Sequence, residues 1–175
     1  VQGSGRVEGR GFGEEAEGFI WYNFTSGLAK AEAEARAAMV VIHKSWCGAC
    51  KSLGPKFAGD PNVQRLSHNF VMINIQDDEE PLDAGWHVDG SYIPRIFFYD
   101  GEHGELLDII AEPAHPSGKY KYFYNNGETV AHSMERALGA IKKMKEQEEK
   151  AALLTGDATM AIGTSQARDS RKSEL

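Results

Sequence analysis

Between Ser45 and Lys51 the chain reads Ser-Trp-Cys-Gly-Ala-Cys-Lys, and this stretch holds its only two cysteines, three positions apart. The apolar run Met39-Val40-Val41-Ile42 comes directly before it and the helix-competent run Lys51-Ser52-Leu53 directly after. The pattern predicts a strand, a turn and a helix, with a dithiol at the joint. Two sulfurs at i and i+3 across the first turn of a helix can reach bonding distance, so the pair can close into a disulfide with little backbone movement. Cys47 is expected exposed at the mouth of the helix, beside unpaired N–H groups and the positive end of the helix dipole. That setting lowers a thiol pKa from ~8.5 into a range of about 3.5 to 7.5. Cys50, one turn inside, is expected buried. The roles divide accordingly: Cys47 attacks a substrate disulfide and Cys50 attacks the resulting mixed disulfide to release product.

A bare C-x-x-C is also half of a zinc site. Zinc needs further ligands, yet there is no second cysteine pair, and the six histidines (His43, His68, His87, His103, His115, His132) lack the H-x(3–5)-H spacing. The remaining alternative is a purely structural disulfide or two buried thiols that happen to be close. The tryptophan before the pair and the strand-to-helix context favour redox chemistry.

At these residues the chain resembles the thioredoxin superfamily. Trp46-Cys47-Gly48-Ala49-Cys50 matches its W-C-x-x-C, Pro55 matches the proline that kinks its active-site helix, and Ile93-Pro94 matches its cis-proline loop, which faces the dithiol. More narrowly, Gly11-Phe12-Gly13, His43 to Lys51, Leu66 to Met72, Tyr92-Ile93-Pro94-Arg95, Lys121-Tyr122-Phe123-Tyr124 and Leu154 to Ala158 are similar to the small endoplasmic-reticulum thioredoxins related to the anterior-gradient proteins. The resemblance implies an α/β thioredoxin fold, a central mixed sheet with helices on both faces. It implies Cys47 and Cys50 as catalytic residues and Trp46, Gly48, Ala49, Ile93 and Pro94 as substrate contacts. The backbone of Ile93 pairs with an extended client in that picture. Protein clients bearing disulfides or free thiols are the implied partners, with glutathione as electron partner and no bound cofactor or metal. A monomer or weak dimer is expected.

One family feature is missing. The buried acid six residues before the first cysteine, which relays protons to the second thiol, is replaced by Val41, so proton transfer to Cys50 must use water or another group. Gly48-Ala49 also differs from the dipeptides of the isomerases and of thioredoxin, so the redox poise is not inherited from either.

The 175 residues with 41% hydrophobic content suit a single domain with tails: a flexible segment over 1–13, a thioredoxin-like domain over 14–154 and a polar tail over 155–175. A net charge of −7 argues against a nucleic-acid surface. No apolar run approaches the ~20 residues that cross a bilayer, so no membrane partner is expected. The sequence opens at Val1 without methionine or a charged-then-apolar leader, which fits a signal peptide already removed. It closes on Lys172-Ser173-Glu174-Leu175, one residue away from the K-D-E-L retrieval signal. Joined to the resemblance, that tail predicts the endoplasmic-reticulum lumen.

Along the chain, Phe19 to Tyr22 reads as a first strand and Leu28 to Ala38 as a helix on its Ala, Glu and Lys content. Met39 to His43 reads as the central strand, 48–59 as the active-site helix, Pro61 to Ser67 as a short helix and Phe70 to Ile75 as a strand. Asp77-Asp78-Glu79-Glu80 reads as a solvated loop, with a client-selecting charged rim as the alternative. Arg95 to Tyr99 and Glu105 to Ile110 read as a hairpin, with Arg95 assigned a surface ion pair in preference to hydrogen bonds with nearby backbone or support of a thiolate. The aromatics of 120–124 are expected to anchor their loop to the core rather than form a client-facing wall. Val130, Met134, Leu138 and Ile141 mark an amphipathic helix from Glu128 to about Lys150. Asn23-Phe24-Thr25 is a glycosylation sequon, read here as incidental. Two further functions compete with the oxidoreductase: a client-holding quality-control module that traps intermediates through Cys47, and a redox sensor.

Overall fold

The computed structural model describes residues 11–13 and 18–163, with side chains through Thr155. The segment 1–10 and the terminal Lys172–Leu175 lie outside the described residues. By its contacts the chain divides into two units, Val1–Leu138 and Gly139–Leu175.

The first unit is built on β1 (Trp21–Tyr22), β2 (Ala37–His43), β3 (Val71–Gln76), β4 (Arg95–Asp100) and β5 (Glu105–Leu107). They form one sheet in the order β1-β3-β2-β4-β5. The first three run parallel, β4 is antiparallel to β2, and β5 is antiparallel to β4. Every residue of β2 is buried, as a central strand covered on both faces requires. Side chains alternate between the two faces of a strand. On one face Val40, Ile42, Ile73, Ile75 and Phe97 form a core with Ala31 of α1 (Phe24–Ala33) and with Trp86. On the other, Trp21 stacks on Phe57 of α2 (Gly48–Ala58) with ring centroids 6.1 Å apart, and Phe70 meets Phe98 at 5.7 Å. Helices therefore cover both faces of a mixed sheet, which is the expected thioredoxin architecture. The short α3 (Pro61–Ser67) follows α2, its first turn capped by Asp60.

Several boundaries differ from the sequence reading. The first helix begins at Phe24 rather than Leu28 because the Asn23 side chain caps it, Oδ1 accepting from the Ser26 N–H at 2.9 Å. It ends early because Ala35 turns the chain at φ 48°, and Ala37 and Ala38 enter β2, paired with Asp100 and with Val71 and Tyr99. Ladder pairing in the most buried strand overrides the helix propensity of alanine. Strand β5 stops at Leu107, where the Ile109 N–H turns back to the Leu107 carbonyl at 2.9 Å.

The loop over 108–126 is anchored through Tyr122 and Tyr124, which are buried, with Tyr122 packed on Phe97 at a centroid distance of 4.7 Å; Tyr120 departs from the expectation and is exposed. The helix α4 (Gly127–Gly163) runs past the expected end near Lys150, through a stretch rich in alanine, leucine and glutamate. In the first unit its Val130, Met134 and Ala137 are buried. In the second unit, described by itself, Lys142 and Glu146 pair at i,i+4 with 3.8 Å between them. No helix among the described residues is long and apolar enough to cross a membrane.

Candidate active site

Strand β2 ends at His43, and the next four residues turn the chain into α2. Cys47 is the N-cap of that helix, in extended conformation, with its sulfur accepting the Cys50 N–H at 3.1 Å. A backbone donor aimed at this sulfur stabilises negative charge there more than it stabilises a neutral thiol. Cys47 and Cys50 are joined in a disulfide, with Cα atoms 5.3 Å apart. The dithiol predicted from spacing is thus brought together at a helix mouth.

The expected asymmetry between the sulfurs needs correction. Cys47 is only 6% exposed and Cys50 3% exposed, so in the bonded form neither protrudes. What covers Cys47 is the loop before β4: its Sγ lies 3.9 Å from the carbonyl oxygen of Ile93, whose bond to Pro94 is cis. That single contact puts Ile93 and Pro94 against the cysteine pair across a sequence gap of 46 residues. Trp46 stands 73% exposed beside them, and Gly48 and Ala49 are exposed as well. All seven predicted site residues therefore cluster, with an aromatic plate and an open backbone edge around two shielded sulfurs.

The turn ahead of the cysteines is held by the two ends of the acidic run, Asp77 and Glu80, while Asp78 and Glu79 between them are exposed as expected of a solvated loop. The Ser45 N–H donates to Asp77 Oδ1 at 2.7 Å, Lys44 donates to the Asp77 carbonyl, and the Cys47 N–H closes on Lys44 O at 3.2 Å. The Ser45 N–H, above all, holds the Asp77 carboxyl below its ordinary range. Glu80 reaches Lys44 Nζ at 2.9 Å, His87 Nδ1 at 3.8 Å and the guanidinium of Arg95. Arg95 is a further correction, since it is fully buried rather than in a surface pair. It donates to the carbonyls of Gly90 and Tyr92, both at 3.0 Å, as well as to Glu80. A buried guanidinium demands such partners because desolvating a charge costs several kcal/mol. Burial pushes the Glu80 carboxyl up, but the hydrogen bonds and charges of Lys44 and Arg95 outweigh it and hold the group below its ordinary value. One carboxylate thereby ties the segment before Cys47 to the segment after the cis bond.

Two polar residues of the sheet escaped the sequence reading. His43 is buried, with Nε2 2.8 Å from Asn74 Oδ1 on β3 and its ring edge-on to Phe12 at 5.0 Å. The available signal was a polar residue in each of two otherwise apolar strands. Val41, two residues earlier on the same face, is fully buried and opposite Asn74. Beside the disulfide lies a cavity of about 420 Å³ lined by Phe12, His43, Lys44, Cys50, Lys51 and Gln76, among others. Among the described residues no three metal-ligating side chains converge.

The thioredoxin-like family matches residues 20–101. Anterior gradient protein 2-B of Xenopus laevis is 29% identical over 133 residues, spanning 76% of this chain and 77% of the relative. The anterior gradient protein 2 homolog of Homo sapiens is 28% identical over 139 residues, with 76% and 73% covered. Among solved structures, a thioredoxin from Thermus thermophilus superposes with a TM-score of 0.52 at 19% identity, covering 69% of this chain and 88% of that one. A DsbH oxidoreductase superposes at 0.50 with 12% identity, over 71% and 87%. At those identities the two structures speak for the fold.

Proposed function

We propose that this chain, which is similar to thioredoxin-like proteins and to the anterior gradient proteins, is a thiol–disulfide oxidoreductase acting on protein disulfides in the endoplasmic-reticulum lumen. The observation that carries the reading is the placement of Cys47: helix N-cap, sulfur accepting a backbone N–H at 3.1 Å, and the Ile93 carbonyl 3.9 Å away. In the reduced protein the Cys47 thiolate attacks one sulfur of a client disulfide, and the client's other sulfur leaves as a thiolate. Cys50 then attacks Cys47 Sγ; the bond to the client breaks and the bonded pair seen here is the product. The client lies extended along the edge formed by Ile93 and Pro94, with Trp46 as an apolar contact and Gly48 and Ala49 leaving the sulfur approachable. Glutathione is the electron partner that reopens the disulfide, by two successive thiol exchanges.

The lumenal address rests on Lys172-Ser173-Glu174-Leu175. Deleting those four residues from a secreted form should move the protein from cells to medium, and unchanged retention would count against the address.

The chemistry is tested by turnover of a model peptide disulfide with glutathione as reductant. Cys47→Ser should abolish turnover, and Cys50→Ser should accumulate mixed disulfides. Capture by wild type without release would point instead to a client-holding module. Equilibration against a glutathione redox buffer fixes direction, since about 30 mV shifts a two-electron equilibrium tenfold.

A further inference from the structure

Cys50 cannot attack while it carries its proton, and its surroundings make that proton hard to lose. The sulfur belongs to a residue 3% exposed, behind the helix mouth, and burial disfavours a thiolate. The polar route out is the 420 Å³ cavity that Cys50 itself lines. Its other titratable lining residues among those described are His43, Lys44 and Lys51. A lysine ammonium has no lone pair with which to accept a proton, whereas a neutral imidazole has one on a ring nitrogen. Val41, the nearest same-face neighbour on the strand, has no ionisable group.

We propose that His43 moves the proton of Cys50, through water in this shared cavity, during the resolving step. The proposal rests on the oxidoreductase reading and assigns to the site a residue that is neither cysteine nor client contact. Asn74 orients the ring: with Nε2–H donating to Asn74 Oδ1 at 2.8 Å, the basic atom of the neutral imidazole is Nδ1. Phe12, edge-on at 5.0 Å, limits ring rotation. Among the described residues, Lys44 and Lys51 line the same cavity wall, and the carboxyl of Asp77 feels the imidazole charge; Asn74 and Gln76 of β3 are neutral.

The step balances. The Cys50 S–H proton passes through water to the imidazole. The Cys50 sulfur forms its bond to Cys47 Sγ, the bond from Cys47 to the client sulfur breaks, and its electron pair leaves with the client. The imidazolium returns the proton through water to the client thiolate, so His43 ends as it began.

Reduced protein is mixed with a model peptide disulfide, quenched in acid at successive times, and the mixed disulfide is separated from the closed Cys47–Cys50 form. In wild type the resolving rate should follow the titration of His43, measured independently by NMR of its ring protons. His43→Gln should slow that step by about 100-fold, at the low end of general acid–base effects, and abolish the His inflection. Formation of the mixed disulfide by Cys47 is read separately, in Cys50→Ser with and without His43→Gln, so that a loss confined to the resolving step is distinguished from a general loss of the site. A second measurement needs no variant: the His43 titration midpoint should differ between reduced and oxidised wild type. A wild-type mixed disulfide that never resolves overturns both this proposal and the reading beneath it. A wild type that resolves, beside a His43→Gln protein with an unchanged pH profile, or a His43 midpoint indifferent to the state of the sulfurs, overturns the proposal alone.

Discussion

Glu80 shows how much can rest on one side chain. It faces a fully buried guanidinium, an ammonium 2.9 Å away and an imidazole 3.8 Å away, and through Arg95 and Lys44 it joins both segments that meet at Cys47. Its carboxyl is depressed below its ordinary value of 4.5. A depressed acid contributes stability that is present above the unfolded value and lost as pH falls through the folded one. The melting temperature of wild type should therefore drop as the pH falls below about 4.5, more steeply than that of Glu80→Gln. At neutral pH Glu80→Gln should be less stable by about 3 kcal/mol, because Arg95 stays buried without its counter-charge. A variant as stable as wild type at pH 7 would show that the carbonyls of Gly90 and Tyr92 satisfy Arg95 unaided. The local sequence of Glu80, the last of four acidic residues in a row, reads as solvent-exposed; only its position opposite Arg95 makes it an internal ion partner.

At the scale of elements, the packing of α1 against the β4–β5 turn is set by closeness that no side chain can share. A Cβ built on Gly101 would stand 2.3 Å from both the Ala31 and the Arg36 carbonyl oxygens, while its N–H bonds to Arg36 O at 3.1 Å. These neighbours are backbone and have nowhere to move. Gly101→Ala should cost about 3 kcal/mol, the upper end of the usual overpacking penalty, and lower the melting temperature by roughly 6 to 12 °C. Gly48, between the cysteines, meets nothing within 4 Å, so Gly48→Ala should melt within about 2 °C of wild type. Equal melting of the two variants would remove the argument from close approach. Both glycines lie next to turns in the sequence, and the sequence does not tell them apart. The difference arises from which element passes overhead.

On the scale of the molecule, the aromatic anchors of the core carry a pH signature. Burial, with a hydrogen bond to Glu32, pushes the Tyr99 hydroxyl up to about 12. Burial, with Asp108, does the same for Tyr122, and burial alone dominates at Tyr124, also at about 12. A raised folded pKa contributes stability that is fully present below the unfolded value near 10 and is lost as pH rises through about 12. Alkaline titration followed by tyrosinate absorbance should show these three ionising together with loss of near-ultraviolet circular dichroism, above pH 11. Ionisation of all tyrosines near 10 with the fold intact would contradict the packing described for Tyr99, Tyr122 and Tyr124.

The sequence by itself determined the kind of chemistry and the kind of fold. The spacing of Cys47 and Cys50 is a local geometry that one helical turn enforces, and apolar runs with their turns specify strands and helices through short-range propensity and periodicity. Tertiary structure alone decided what surrounds the sulfurs. Cys47 is shielded by Ile93, Arg95 is buried against Glu80, and His43 shares a cavity with Cys50, because parallel pairing of β2 with β3 and antiparallel pairing with β4 bring together residues far apart in the chain. Burial and electrostatics depend on those neighbours, and a linear pattern carries the identity of each partner without carrying their distance.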